Sequence, residues 1–298
     1  MLKGFRNAFA LFAGLALASC ATQPAQTQSA EARPALWTLS DEDTTIYLFG
    51  TIHALPEGTD WRSPALDRAL AASEELVTEI RLEGNEAAAV GAFARLGLAS
   101  GLPPALERVP EGKRAALTEA IAGVGLTTAG ADRLKTWALA VTVAQVLFQR
   151  AGLNPELGVE RILTADFAGR QRPMSALETV EEQLGFFDSL PEESQRAFLE
   201  GVLESPEDVR REFDLMLSAW RSGDTDAIAR TFNDEETLSR DLREVLLVRR
   251  NARWAEWLQR RLERPGTIFV AVGAGHLAGD DSVHDMLRRR GLTTRRVQ

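Results

Sequence analysis

The sequence predicts an α/β fold in which a central mixed β-sheet, built from both chain ends and flanked by helices, carries a long α-helical insertion. Three observations predict it. Strand-like apolar runs occur near the start, at 36–39, 45–50 and 75–82, and return only at the end, at 267–272. Between about 85 and 265 the apolar residues follow a helical period, with Gly and Pro marking the turns. A Gly-x-x-His follows an apolar strand run near each end.

The first elements read as a hairpin: Leu36-Trp37-Thr38-Leu39, an acidic turn at Asp41-Glu42-Asp43, then Thr45-Ile46-Tyr47-Leu48-Phe49-Gly50. Apolar residues on both faces of the second run predict a central strand covered by helices on both sides. Ser63-Pro64 is a helix start, with Ser as N-cap and Pro in the first turn, and that helix leads to a third strand at 75–82. Helical periods follow at 86–98, 111–124 and 128–151. The stretch 137–149 is apolar nearly all round, yet Lys135 and Arg150 confine it to fewer than the roughly 20 residues a membrane span needs, so it predicts a buried helix. A short strand at 173–177 precedes further helices from 180 to 262. Thr267-Ile268-Phe269-Val270-Ala271-Val272, a helix through Met286 and an edge strand near 293–297 close the chain. The α/β core is thus expected at 35–84 and 266–298, and no tandem repeat of solenoid period is present.

The N-terminus has the parts of a secretory signal, 1–19: basic Lys3 and Arg6, a short apolar run, and small residues before a cleavage point. Leu17-Ala18-Ser19-Cys20 resembles a bacterial lipobox, in which Cys20 is lipidated and becomes the new N-terminus. Residues 20–34 then read as the lipidated cysteine and a flexible Thr/Gln/Ala/Pro tether, with the main domain at 35–298. The expected partner of that end is a membrane, held through Cys20. The expected location is the cell envelope, and Ala21 after the cysteine implies the outer membrane, facing the periplasm.

Composition narrows the chemistry. Cys20 is the only cysteine, so a disulfide, a cysteine nucleophile and a Cys-based metal site are all excluded from the mature domain. Any metal must use His, Asp or Glu. The net charge is −9, and it becomes more negative once Lys3 and Arg6 leave with the signal, which disfavours a nucleic-acid partner.

Only three histidines occur, and two stand in matched settings: Gly50-Thr51-Ile52-His53 and Gly273-Ala274-Gly275-His276. In α/β sheets, ligands bind in the crevice beyond the carboxyl ends of the strands, where these two histidines would project. Gly50 and Gly273 would permit a sharp turn and close backbone approach. As a pair the histidines suggest a shared metal site; singly, each would be a structural histidine. Glu79 interrupts the apolar Leu76-Val77-Thr78 run, and a buried carboxylate needs a partner or a metal; the alternative is a solvated edge shared with Arg81. Glu178 ends the strand near 173–177, the alternative being a first-turn helix residue favoured by the helix dipole.

Together with Leu36-Trp37, Leu177-Glu178-Thr179, Arg250-Asn251 and Val272-Gly273-Ala274-Gly275-His276-Leu277, these residues resemble the TraB/PrgY/GumN/Tiki family over nearly all of the mature chain. The resemblance implies a fold similar to erythromycin-esterase and ChaN-like proteins, and an activity like that of the Tiki members, which are metalloproteases dependent on manganese or cobalt. It implies His53 and His276 as metal-binding histidines, with Glu79 and Glu178 as acidic site positions. Arg250-Asn251 would be a cofactor-binding polar pair, or else one more Arg on a solvated face. Imidazole and carboxylate ligands suit Mn, Co, Zn or non-haem Fe. The expected function is a metal-dependent, peptidase-like hydrolase of the envelope using a metal-activated water, with one glutamate as ligand and the other as general base on a peptide or protein substrate. The alternative is a non-catalytic metal- or haem-binding lipoprotein, or an accessory factor of polysaccharide or peptide-signal processing.

Rival motifs fall away. There is no His-Glu-x-x-His and no Gly-x-Ser-x-Gly. Gly273-x-Gly275-x-x-x-Gly279 resembles a dinucleotide loop, but too little chain follows for a βαβ continuation. His284 reads as a surface or packing residue, and Trp254 and Trp257 as residues packing on the sheet.

Overall fold

The computed structural model describes residues 32–81, 84–203, 205–233 and 239–298. The signal, Cys20 and most of the tether lie outside the described residues. Packed chain begins slightly earlier than expected. Ala32 is buried, the Arg33 amide donates to the Arg221 carbonyl at 2.7 Å, and the Gln298 side-chain Nε2 donates to the Pro34 carbonyl at 2.8 Å.

The first hairpin forms as predicted: β1 (Leu36–Ser40) pairs antiparallel with β2 (Thr44–Thr51). Asp41 Oδ1 accepts the Thr44 amide at 2.9 Å and closes the acidic turn. Helix α1 (Pro64–Ala72) starts at Ser63, whose hydroxyl accepts the Leu66 amide, and Pro64 sits where a missing N–H costs nothing. It leads to β3 (Glu75–Thr78), shorter than the expected 75–82. Glu79 lies just past the strand, with its side chain turned inward to Arg250.

The insertion is mainly helical. Its helices are α2 (Glu86–Gly97), α3 (Arg114–Gly123), α4 (Thr128–Asp132), α5 (Thr136–Arg150) and α6 (Val159–Gly169). After β4 (Met174–Ala176) come α7 (Val180–Asp188), α8 (Glu192–Gly201), α9 (Pro206–Ser222), α10 (Thr225–Asn233), α11 (Arg240–Arg243) and α12 (Arg249–Leu262). The single helix expected at 128–151 is split. Leu134 forms an antiparallel bridge with Leu98, and the Lys135 amide donates to the Gly97 carbonyl at 2.7 Å, which holds the backbone extended between α4 and α5. Helix α5 is buried along most of its length, and no helix among the described residues is long and apolar enough to cross a membrane.

Strand β5 (Gly266–Gly273), helix α13 (Val283–Arg289) and the short edge strand β6 (Arg295–Arg296) complete one six-stranded sheet of order β4-β3-β5-β2-β1-β6. β5 is parallel to both β2 and β3, and β3 is parallel to β4. Both chain ends therefore share one sheet, with β4 of the insertion added at an edge. Phe49, Phe269 and Leu76 face a large core with α1, α5 and α6, while Leu48, Val270 and Val272 face a second core with α12 and α13. Each such side chain, fully removed from water, contributes about 1.5–3 kcal/mol. The central strands are covered on both faces, as their apolar runs predicted.

Candidate functional site

The parallel register decides what meets at the sheet edge. Thr51 pairs with Gly273, and Thr78 pairs with both Ala271 and Ala176, so four strands end together. Beyond them, the Glu178 amide still donates to the Glu79 carbonyl at 2.9 Å. His53, His276, Glu79 and Glu178 thus follow four neighbouring carboxyl ends by one to three residues.

His276 sits on a single 3-10 turn (Ala274–Leu277) directly after β5 and is 2 % exposed. Its tautomer is fixed from α12. The Asn251 amide nitrogen donates to the Asp281 carbonyl at 2.8 Å, which turns Asn251 Oδ1 toward His276 Nδ1 at 2.6 Å. Nδ1 therefore carries the proton, and Nε2 presents its lone pair to the site. Burial, and then the charge of Arg250, lower the His276 pKa to about 3, so the ring is neutral. Trp254 packs its ring 4.3 Å from that of His276.

His53 is held in the same manner by a residue the sequence reading missed. Its Nδ1–H donates to Glu160 Oε1 at 2.6 Å, and the Thr51 hydroxyl donates to the same oxygen. Glu160 lies in the first turn of α6, which is locked against the His53 segment. The Val159 amide donates to the Ile52 carbonyl at 2.9 Å, and a Cβ on Gly158 would stand 2.2 Å from the His53 carbonyl oxygen. Only glycine permits that approach. Burial alone would lower the His53 pKa, but the charge and hydrogen bond of Glu160, helped by Glu79, raise it to about 9.

Gly273 marks where the groups meet. A Cβ there would lie 3.2 Å from Glu79 Oε1, 3.4 Å from His53 Nε2 and 3.6 Å from His276 Cδ2. The two imidazoles and one carboxylate therefore surround a single point at the end of β5. Neither Gly50 nor Gly273 has a positive φ, so the turn strain expected of them is not their reason. Gly273 leaves room among the site side chains. Gly50 lets β2 approach the His276 turn, since its Cβ would stand 3.0 Å from Ala274 Cα.

Arg250, wholly buried, fills the centre. Its Nη2 donates to Glu79 Oε2 at 2.5 Å and to Glu178 Oε2 at 2.9 Å, while its Nη1 reaches His276 Nε2 at 3.2 Å and the Leu246 carbonyl at 3.0 Å. That carbonyl belongs to a π turn (Glu244–Val248) leading into α12. The guanidinium also packs over the Trp254 ring at 4.7 Å. Burial would raise Glu79, but Arg250, His276, His53 and the Gly273 amide at 2.7 Å hold it well below the ordinary carboxylate range. Gln183 Nε2 adds a bond to its other oxygen at 3.2 Å. Glu178 faces a different shell: Arg250, the Arg253 Nη2 at 3.0 Å and the Trp254 Nε1 at 3.0 Å. It stands behind the guanidinium, while Glu79 stands beside the histidines. Trp254, expected only to pack on the sheet, also belongs to the site.

Imidazole and carboxylate donors suit a borderline divalent ion: both imidazoles have Nδ1 taken by an oxygen acceptor, His53 Nε2 lies beside Gly273, and His276 Nε2 faces Glu79. A closed cage is not formed. His276 Nε2 and Glu79 Oε1 are 3.7 Å apart with Arg250 Nη1 against the histidine, and among the described residues no three His, Cys, Asp or Glu side chains are gathered into a metal-holding group. Arg250 would have to release His276, and His53 its Nε2 proton, for both rings to bind one ion. His284, by contrast, is a packing residue 4.5 Å from the Trp37 ring, as expected.

Over residues 35–296 the chain matches the model of the TraB/PrgY/gumN family. The chain belongs to that family. The match includes both Gly-x-x-His segments, Glu79, Glu178 and Arg250-Asn251. Among curated proteins it is similar to the uncharacterized protein YbaP of Escherichia coli (strain K12), 28 % identical over 182 residues, which is 61 % of this chain and 67 % of YbaP. An uncharacterized protein of Treponema pallidum (strain Nichols) is 25 % identical over 174 residues, 54 % of this chain and 52 % of that protein. No solved structure matches.

Proposed function

We propose that this member of the TraB/PrgY/gumN family is a metal-dependent hydrolase of the cell envelope, acting on peptide or protein substrates. The observation that carries the reading is the meeting of His53 Nε2, Glu79 Oε1 and the His276 ring around Gly273, each imidazole fixed through its Nδ1. His53, His276 and Glu79 would hold a Mn, Co, Zn or Fe ion, with Glu178 behind them. Such an ion supplies Lewis acidity toward water and a substrate carbonyl. The chain's own groups do the rest. Asn251 and Glu160 orient the imidazoles, and Gly273 keeps the meeting point free of side chain. Arg250 keeps buried Glu79 ionised and is the hydrogen-bond partner of Glu178, whose pKa burial raises in spite of it. The side chains of His53 and Glu160 are 14 % and 19 % exposed, more than Glu79, His276 or Arg250, so substrate would enter from their side. A lipid anchor at Cys20 would hold this domain at the outer membrane, facing the periplasm.

The test uses untagged full-length protein, since the chain has only three histidines and a histidine tag would dominate its metal binding. Metal content is measured, and hydrolysis of denatured proteins, esters and peptidoglycan peptides is compared with chelator and with added manganese. The proposal expects stoichiometric d-block metal and a hydrolysis that chelation abolishes and manganese restores. Hydrolysis unmoved by chelation would overturn it.

One observation favours a second reading. Arg250 Nη1 at 3.2 Å from His276 Nε2 makes the guanidinium the resident cation, and the cluster could serve as a closed charge network in a non-catalytic binding protein.

A further inference from the structure

Glu160 has no signal in the sequence, yet its carboxylate holds His53 Nδ1 at 2.6 Å. Three features argue against an incidental surface contact. The oxygen that accepts the imidazole proton at 2.6 Å also accepts the Thr51 hydroxyl, so the carboxylate is fixed from two strand-end residues at once. The α6 helix that carries it is pinned beside His53 by the Val159 amide and by Gly158, where a Cβ would collide with the His53 carbonyl at 2.2 Å. Finally, the arrangement repeats on the other ring, where Asn251 Oδ1 accepts His276 Nδ1–H at 2.6 Å. Two histidines separated by most of the chain have their outer nitrogens taken by oxygen acceptors and their inner edges turned to Gly273.

We propose that Glu160 is a positioning residue: it holds the His53 Nδ1–H and so aims Nε2 at the point shared with Glu79 and His276. The inference deepens the hydrolase reading, on whose site it rests. Its physical basis is that a carboxylate acceptor on Nδ1–H fixes one ring orientation, and loss of such a partner lowers metal affinity by about 10–100-fold in comparable sites. An amide in its place would offer a weaker, neutral acceptor and could turn to present its NH2 group, so the hold on the ring would loosen.

The measurement is the ¹⁵N spectrum of the imidazoles in the full chain without added metal, where three histidines give three resolvable rings assigned by single substitutions. In the natural protein the His53 Nδ1–H is expected as a downfield proton slow to exchange. Glu160→Gln should broaden or move the His53 signals and leave those of His276 and His284 in place; Glu160→Asp should restore them in part. Manganese titration of the same variants should show the 10–100-fold loss for Glu160→Gln and a smaller one for Glu160→Asp. His53 signals that do not move in Glu160→Gln would overturn the proposal. If they move while the natural protein binds no metal and hydrolyses nothing, Glu160 still positions His53 and the hydrolase reading alone fails.

Discussion

Arg250 Nη1 lies 3.2 Å from His276 Nε2 while the same guanidinium holds Glu79 at 2.5 Å. One buried cation thus joins a carboxylate to the histidine beside it. Replacing Arg250 by Ala leaves Glu79 and Glu178 buried without their shared partner, and breaking a buried pair in this way costs about 3–5 kcal/mol. Urea unfolding should show the loss as a lower midpoint. An unfolding free energy within about 1 kcal/mol of that of the natural protein would mean that the carboxylates do not depend on Arg250.

Gly273→Val tests the meeting point without changing charge. The Cβ of alanine already comes to 3.2 Å from Glu79 Oε1 and 3.4 Å from His53 Nε2, and the methyls of valine go further. The variant should fold, as φ at Gly273 is ordinary for any residue, and should lose ligand binding and activity by at least about tenfold, equivalent to about 1.4 kcal/mol. Circular dichroism and metal titration together check it.

His284 gives a pH dependence away from the site. Burial lowers its pKa to about 4, so the folded state resists a proton that the unfolded chain accepts near 6.5. The unfolded state binds more protons throughout that window. Stability attributable to His284 is therefore present above pH 6.5 and lost as pH falls toward 4, at a slope on the order of 1 kcal/mol per pH unit. His284→Phe keeps the ring beside Trp37 and removes the titration. Its unfolding midpoint should fall less than that of the natural protein between pH 6.5 and 4.5 (about two units).

Cys20→Ala tests the envelope anchor. The variant should leave the membrane fraction and lose the mass of the lipid. Unchanged fractionation and mass would remove the anchor from the account.

The sheet was legible because its strands carry their own signal. Apolar residues on both faces of 45–50 and 267–272 leave only a covered central position, and β2 and β5 are neighbours in parallel register. The two histidines were legible for the same reason, since each follows such a strand by a fixed step. Glu160 was not. It sits in Val159-Glu160-Arg161 on a helix that reads as half solvated, and its meaning comes from His53, a residue far away in sequence. Arg250 has no signal of its own among the arginines of α12; the family resemblance singles out Arg250-Asn251, and complete burial shows Arg250 at the centre of the cluster. The break between α4 and α5 is not legible because a tertiary contact, the bridge of Leu134 with Leu98, sets it.

Calorimetric titration of manganese or zinc into untagged protein, with His53→Ala and His276→Ala beside it, tests the shared site most directly. The account predicts one ion per chain in the natural protein and no such binding in either variant, both still folded. Undiminished binding in either single variant, or none in the natural protein, would contradict it.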